Sequence, residues 1–224
     1  MRMRMALEFA KKGAAKYISH LDLQRAFSRA IRRSGLPVKL SEGFNPHYVV
    51  SFASALSLGM ESECECVEVA MAQEVYADEF LLKIARALPP GLVARRAVRL
   101  RDNAPKLMAA LSEAEYEMPV DASRAQEVQR SIEDILNRKE ILAVKVSGGK
   151  EKQIDIRPMI KALSLSDGRL MMRLSVAQTG SLKPDMLLDE IEKQTDKLER
   201  CVKRTVLYTQ SGGEIMDLLD AFKL

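Results

Sequence analysis

Two histidines and a row of arginines are the residues of this sequence with the most chemistry to offer. His20 and His47 are the only histidines in the chain. An imidazole changes charge near neutral pH, so such a pair can act as general acid and base or as metal ligands; the plainer role is a ring that fixes a loop by hydrogen bonding. Arg25, Arg29, Arg32 and Arg33 recur at helical spacing. Each guanidinium is a planar fork of donors that suits phosphate, although such a row can also be a solvated helix face. The segment Ser41-Glu42-Gly43-Phe44-Asn45-Pro46-His47 follows. Gly43 permits backbone conformations closed to other residues, and Asn45-Pro46 is a turn signal, so the loop amides could hold an anion. Ser41, Gly43, Asn45 and His47 therefore join the four arginines as candidate phosphate-binding residues. His20 and His47 are the candidates for acid–base work. Only Asp22, Glu42, Cys64 and Cys66 could complete a metal shell, and none has zinc-finger spacing, so neither metal nor cofactor is expected.

The rest of the composition narrows the setting. Hydrophobic residues make up 47% and charged residues 29% of the 224, which is globular usage rather than that of a disordered chain. No apolar run is long enough to span a bilayer, and Met1-Arg2-Met3-Arg4-Met5 lacks the apolar stretch of a signal peptide, so a cytoplasmic protein is expected. Three cysteines, Cys64, Cys66 and Cys201, fit free thiols in a reducing compartment. Cys64 and Cys66 read as small apolar core residues. The net charge of +4 is unevenly spread. Residues 1–50 hold ten Lys/Arg against three acids, a local +7, which leaves −3 on the remainder.

Elements that would position these residues follow from periodicity. Met3, Met5, Leu7 and Phe9 alternate with polar or small residues as in a strand. Ser19 with Asp22 three residues on is a capping signal, and Gly35-Leu36-Pro37 ends the helix that it opens. Leu23, Phe27, Ala30 and Ile31 form its apolar face, with the arginines roughly opposite. A second strand is expected from Val38 to Ser41, and the stretch from Gly43 to Met60 that follows holds no Lys, Arg, Asp or Glu. Glu63–Met71 reads as a strand with a bulge between Cys66 and Val67, residues 77–88 as a helix stopped by Pro89-Pro90-Gly91, and Leu92–Leu100 as a strand.

Residues 101–114 read as a linker, after which a similar order is expected: a strand over Tyr116–Val120, a helix over 122–137, a hairpin around Ser147-Gly148-Gly149-Lys150, a strand over Leu170–Val176, a helix opened by Pro184 and a strand over Cys201–Thr209. Asp155 and Arg157 are expected to pair at a strand edge. Ile215, Leu218, Leu219 and Phe222 have the spacing of an amphipathic terminal helix. The expected fold is α+β, with two ferredoxin-like (βαββαβ) halves in tandem, residues 1–103 and 114–224, the second with an added hairpin and the C-terminal helix.

Several blocks resemble a known family. Tyr17-Ile18-Ser19-His20-Leu21-Asp22, the Arg25/Arg29/Arg32 row, Gly35-Leu36-Pro37, Ser41–His47, Ser51-Phe52-Ala53-Ser54-Ala55-Leu56, Asp155-Ile156-Arg157-Pro158 and Lys183-Pro184 are similar to the radical S-adenosylmethionine-linked family. That family is a domain of unknown function, in some proteins fused behind a cobalamin-binding radical enzyme. A radical enzyme needs three grouped cysteines for its iron–sulfur cluster, and this chain does not group three. The resemblance thus implies a separate radical S-adenosylmethionine enzyme as partner, with this chain supplying recognition.

Three functions are consistent with these residues. The first is an accessory module that binds RNA, transfer or ribosomal, for modification by the partner enzyme. The second is a metal-independent endoribonuclease using His20 or His47, as tandem ferredoxin-like enzymes of the CRISPR repeat-processing type do; the glycine-rich loop expected near their C-terminus has only Ser211-Gly212-Gly213 as counterpart. The third is a small-molecule or protein-docking module built on the stretch from Gly43 to Met60. No membrane partner is expected.

Overall fold

A computed structural model describes residues 3–147, 149–177 and 179–224. The chain forms two compact units, one of Met1–Leu111 with Val206–Leu224 and the other of Ser112–Thr205. Both are α+β, and every strand pairing whose register is given is antiparallel.

The first unit opens with β1 (Arg4–Lys11), then α1 (His20–Ser34), β2 (Val50–Phe52), β3 (Glu61–Ala70), α2 (Ala77–Ala87), β4 (Leu92–Arg99) and a single turn, α3 (Leu107–Ala110). β1 lies between β3 and β4, and β2 pairs with β3, which gives the order β4-β1-β3-β2. Met5, Leu7 and Phe9 of β1 join Leu23, Phe27 and Ile31 of α1 and Phe80 and Ile84 of α2 in one buried core. Phe9 packs on Phe27 with ring centroids 4.8 Å apart, and Phe27 meets Phe52 edge-on at 5.2 Å. Such pairs add about 0.5–1.5 kcal/mol each beyond their buried area, and these fasten α1 to β1 and β2. Lys11, only 2% exposed, donates its ammonium to the Ile18 carbonyl at 3.1 Å. Burial lowers the pKa of that ammonium, while the charge of buried Glu65 pulls it back up.

α1 is built as its sequence dictates. The Ser19 hydroxyl accepts the Asp22 backbone N–H at 3.1 Å and donates to the Asp22 carboxylate at 2.8 Å. Gly35 ends the helix at φ 66°, in the left-handed region that glycine enters without penalty.

The second unit holds β5 (Leu111–Pro119), α4 (Ala125–Asn137), the hairpin β6 (Leu142–Ser147) and β7 (Lys150–Asp155), then β8 (Ile160–Ser166), β9 (Arg169–Ala177), β10 (Gly180–Ser181), α5 (Pro184–Ile191) and the start of β11 (Lys203–Ser211). β9 pairs with β5, β8 and β10, and β11 neighbours β5. Gly148, in the expected hairpin turn, lies outside the described residues, as do Arg2 of the basic N-terminus and Gln178.

Five expectations are corrected. Residues 214–224 form no helix: β12 (Glu214–Asp217) pairs with β11 through a two-residue Gly212-Gly213 turn, both at positive φ, and turns follow. The positive φ pair is the hairpin geometry that matches strand twist, and it outweighs the helical spacing of Ile215, Leu218 and Leu219. Val38–Ser41 is no strand but holds two isolated bridges, Val38 to Met71 and Leu40 to Tyr48; the strand is β2. The expected linker contains α3 and the start of β5. The bulge in β3 lies not at Cys66–Val67 but between Ser62 and Glu65, where β3 carries one residue more than β1. Alternation fails at Cys66–Val67 because residues 64–69 are buried on both faces. Asp155 and Arg157 do not pair with each other: the carboxylate accepts the backbone N–H groups of Ile141 and Arg157, and the guanidinium caps the end of α4 through the Leu136 and Arg138 carbonyls. Among the described residues no helix is long and apolar enough to cross a membrane.

Candidate nucleic-acid interface

A groove runs along α1 in the first unit, opposite the loop that leads into β2. Its larger lobe encloses about 560 Å³. Phe27, Val50 and Phe52 line it from the core side, Leu21, Gln24, Arg25, Ser28 and Arg29 from α1, and His47 and Tyr48 from the loop. An adjoining lobe of about 390 Å³ shares Ser28, Arg29, His47 and Tyr48 and adds Arg32, Leu40 and Pro46. Both volumes fall within the range of small-ligand sites.

The helix face explains the wall. Positions 21, 24, 25, 28, 29 and 32 follow the 3–4 residue repeat that brings side chains to one side of a helix, while Leu23, Ala26, Phe27, Ala30 and Ile31 face the core. Arg25, Arg29 and Arg32 therefore project along the groove and are all exposed. Arg25 pairs with Asp22 at 3.1 Å, an exposed contact. The Asp22 carboxyl is held below its ordinary pKa, first by the Ser19 hydroxyl and then by Arg25. Among the described residues neither Arg29 nor Arg32 has a carboxylate partner. Arg33 points elsewhere: its guanidinium donates to the Ala87 carbonyl at 2.6 Å, at the end of α2.

The loop wall is a closed ring. Ser41 N–H donates to the His47 carbonyl at 2.8 Å, His47 N–H donates to the Ser41 hydroxyl at 3.1 Å, and that hydroxyl meets His47 Nδ1 at 2.9 Å. Gly43 sits at φ 121°, a backbone state that side-chain-bearing residues rarely adopt, and Gly43, Phe44, Asn45, Pro46 and His47 are all exposed. Gly43 and Asn45 shape the loop without lining either lobe.

His20 and His47 do not play matching parts. His20 is half-buried at the first turn of α1, with its ring edge-on to Phe52 at 5.4 Å and Nε2 3.1 Å from Gln24 Nε2. His47 lines both lobes. Ser28 and Gln24 also line the groove, and the repeat along α1 carries their signal; Tyr48 lines it too, in alternation with Val50 and Phe52.

The cysteines take no part in the groove. Cys64 and Cys66 are buried in β3, and burial pushes the Cys66 thiol well above its ordinary pKa. Cys201 is exposed in the second unit. Among the described residues no group of three or more His, Cys, Asp and Glu side chains is gathered in a way that could hold a metal ion.

Comparison with curated proteins gives no match. Residues 4–184, a span that includes every residue of the groove, match the family described as an uncharacterized protein conserved in bacteria (DUF2344), and the chain belongs to that family.

Proposed function

We propose that the chain is an RNA-binding accessory module that holds backbone phosphates in the α1 groove and presents its RNA, transfer or ribosomal, to a separate radical S-adenosylmethionine enzyme in the cytosol. One observation carries the RNA reading: Arg29 and Arg32 line a groove with His47 opposite, and neither has a carboxylate partner among the described residues. A guanidinium without an acid partner is free to meet phosphate, whereas a neutralised one must first break an ion pair. The net +7 of residues 1–50 adds to the local field.

The strand orders support a ferredoxin-like reading of both units. β4-β1-β3-β2 in the first is the order of a split βαββαβ sheet. In the second, β11, β5, β9 and β8 follow the same order, with the β6–β7 hairpin as the addition. Many RNA-binding modules use such a frame, but fold alone does not assign function, so the weight stays on the groove. The companion enzyme rests on the family resemblance of the SHLD and GFNPH blocks and on the cysteines: two are buried in one unit and the third is exposed in the other, an unsuitable set for a radical enzyme's cluster.

Charge reversal tests the RNA reading. The R29E/R32E variant should bind transfer RNA at least tenfold more weakly, and the slope of log affinity against log salt should flatten by about 1.4 if two phosphate contacts of the single-strand type are lost. Binding curves that superimpose on those of the unaltered protein would remove the groove from the account. Affinity capture of the radical enzyme from native cytosol tests the partner separately.

A further inference from the structure

The groove does more than collect positive charge. Leu21 at its α1 side is 62% exposed, and Leu40 in the second lobe is 50% exposed. Phe44, on the same loop as the groove residues Pro46 and His47, is fully exposed. Large apolar side chains thus accompany the row Arg25, Arg29, Arg32, and among the described residues nothing covers the ring at the loop tip.

A nucleic-acid duplex offers phosphates to such a surface but keeps its base faces stacked inside the helix. It would satisfy the arginines and leave Phe44, Leu21 and Leu40 in water. An unpaired strand offers both: phosphates for guanidinium groups and base faces for aromatic and apolar side chains. The Ser41–His47 hydrogen bonds close the loop that carries Phe44, so the ring is presented on a constrained turn.

We infer that the groove takes an unpaired stretch of RNA, with phosphates on Arg29 and Arg32 and a base stacked on Phe44. This rests on the RNA-binding reading above and specifies the form of RNA that the site accepts. Every base has a flat face, so the contact selects single strands without selecting a sequence.

The test uses the full chain with two fluorescent probes, an unstructured 12-nucleotide oligouridylate and a blunt 12-base-pair RNA duplex. The single strand should bind about tenfold more tightly than the duplex. F44A should weaken the single strand by about tenfold, the scale of one lost stacking contact, and leave the duplex unchanged. F44W should restore single-strand binding, which a merely structural role for Phe44 would not require. Phe44 is exposed, so F44A should melt with the parent protein. If R29E/R32E weakens both probes while F44A alters neither, the groove binds RNA but the stacking inference is overturned. If R29E/R32E alters neither probe, the RNA reading falls and the inference with it. A preference for duplex, or an F44A defect confined to capture of the partner enzyme, overturns the inference in favour of a helical substrate or a protein contact.

Discussion

Ser41 and His47, six residues apart, hold each other through both backbone and side chain, with the Ser41 hydroxyl 2.9 Å from His47 Nδ1. Nδ1 is thereby engaged, while Nε2 has no partner among the described residues. S41A removes two of the three contacts but leaves the backbone bond. At about 1 kcal/mol for a net hydrogen bond, RNA affinity should fall about fivefold, with little change in melting temperature because the loop is exposed. S41T, which keeps the hydroxyl, should bind nearly as the parent does. Fluorescence anisotropy and thermal melting together check this.

Arg33 and Arg29 make opposite predictions despite their shared helix. Arg33 satisfies the Ala87 carbonyl at the end of α2, where a cation also favours the helix terminus. R33A should therefore lower stability by about 1 kcal/mol and leave RNA binding intact. R29A should do the reverse. Chemical denaturation and RNA titration of both variants separate structural from ligand-facing arginines.

Arg96 supplies a pH-dependent case. Its guanidinium reaches Glu8 at 3.0 Å, Asp217 at 2.5 Å and Asp220 at 3.0 Å, which ties the back of β1 to the C-terminal segment within the first unit. Burial raises the Glu8 pKa against the lowering pull of Arg96. Asp220 is held low, first by Lys223 and also by Arg96. Without Arg96, ionised Glu8 is left partly buried and uncompensated, so R96A should cost about 2 kcal/mol at pH 7. Lowering the pH protonates Glu8, whose pKa burial raises, and relieves that cost, so the melting temperatures of parent and R96A should converge between pH 7 and pH 4. Asp220, held below its ordinary value, stays ionised over that range and takes no part in the convergence. A gap that widens in acid would contradict the assignment.

Gly91 tests how the groove helix is seated. It sits at φ 86°, and its backbone approaches so closely that an added Cβ would lie 2.8 Å from both the Ala15 Cβ and the Lys12 carbonyl oxygen. Lys12 N–H donates to the Gly91 carbonyl at 2.9 Å, which docks the turn before α1 on the start of β4. G91A adds backbone strain and a clash with main chain, and should destabilise the first unit by about 3 kcal/mol. Thermal melting checks the loss; hydrogen exchange should place the greatest loosening over residues 12–20.

The parts of the fold legible from sequence were those with local signals. α1 announces itself by Ser19, Asp22 and Gly35, and α5 by Pro184 at its start. β8 escaped because its hairpin partner is reached through Asp167-Gly168, a two-residue turn at φ 50° and 68° whose sequence is a strong hairpin signal that the strand pattern alone did not expose. The C-terminal segment escaped for a different reason. Ile215, Leu218 and Leu219 satisfy helical spacing, and only the Gly212-Gly213 turn and pairing to β11, a tertiary contact, decide for a strand. In the candidate site the arginine row was readable from helical periodicity. The diversion of Arg33 to Ala87, 54 residues away, was not, since no local pattern encodes it.

The return of Val206–Leu224 to the first unit sets an order of events on the ribosome. The strands flanking the groove helix emerge early, as does Glu8, but Asp217 and Asp220, the other two acids on Arg96, and the Leu224 N–H that bonds the Arg99 carbonyl, are translated only after the whole of Ser112–Thr205. A nascent first unit must therefore wait, half-finished, while its neighbour is made. A product ending before β12 would leave Arg96 without Asp217 and Asp220 and β11 without its β12 partner, so an interrupted first unit differs from a finished one by these contacts.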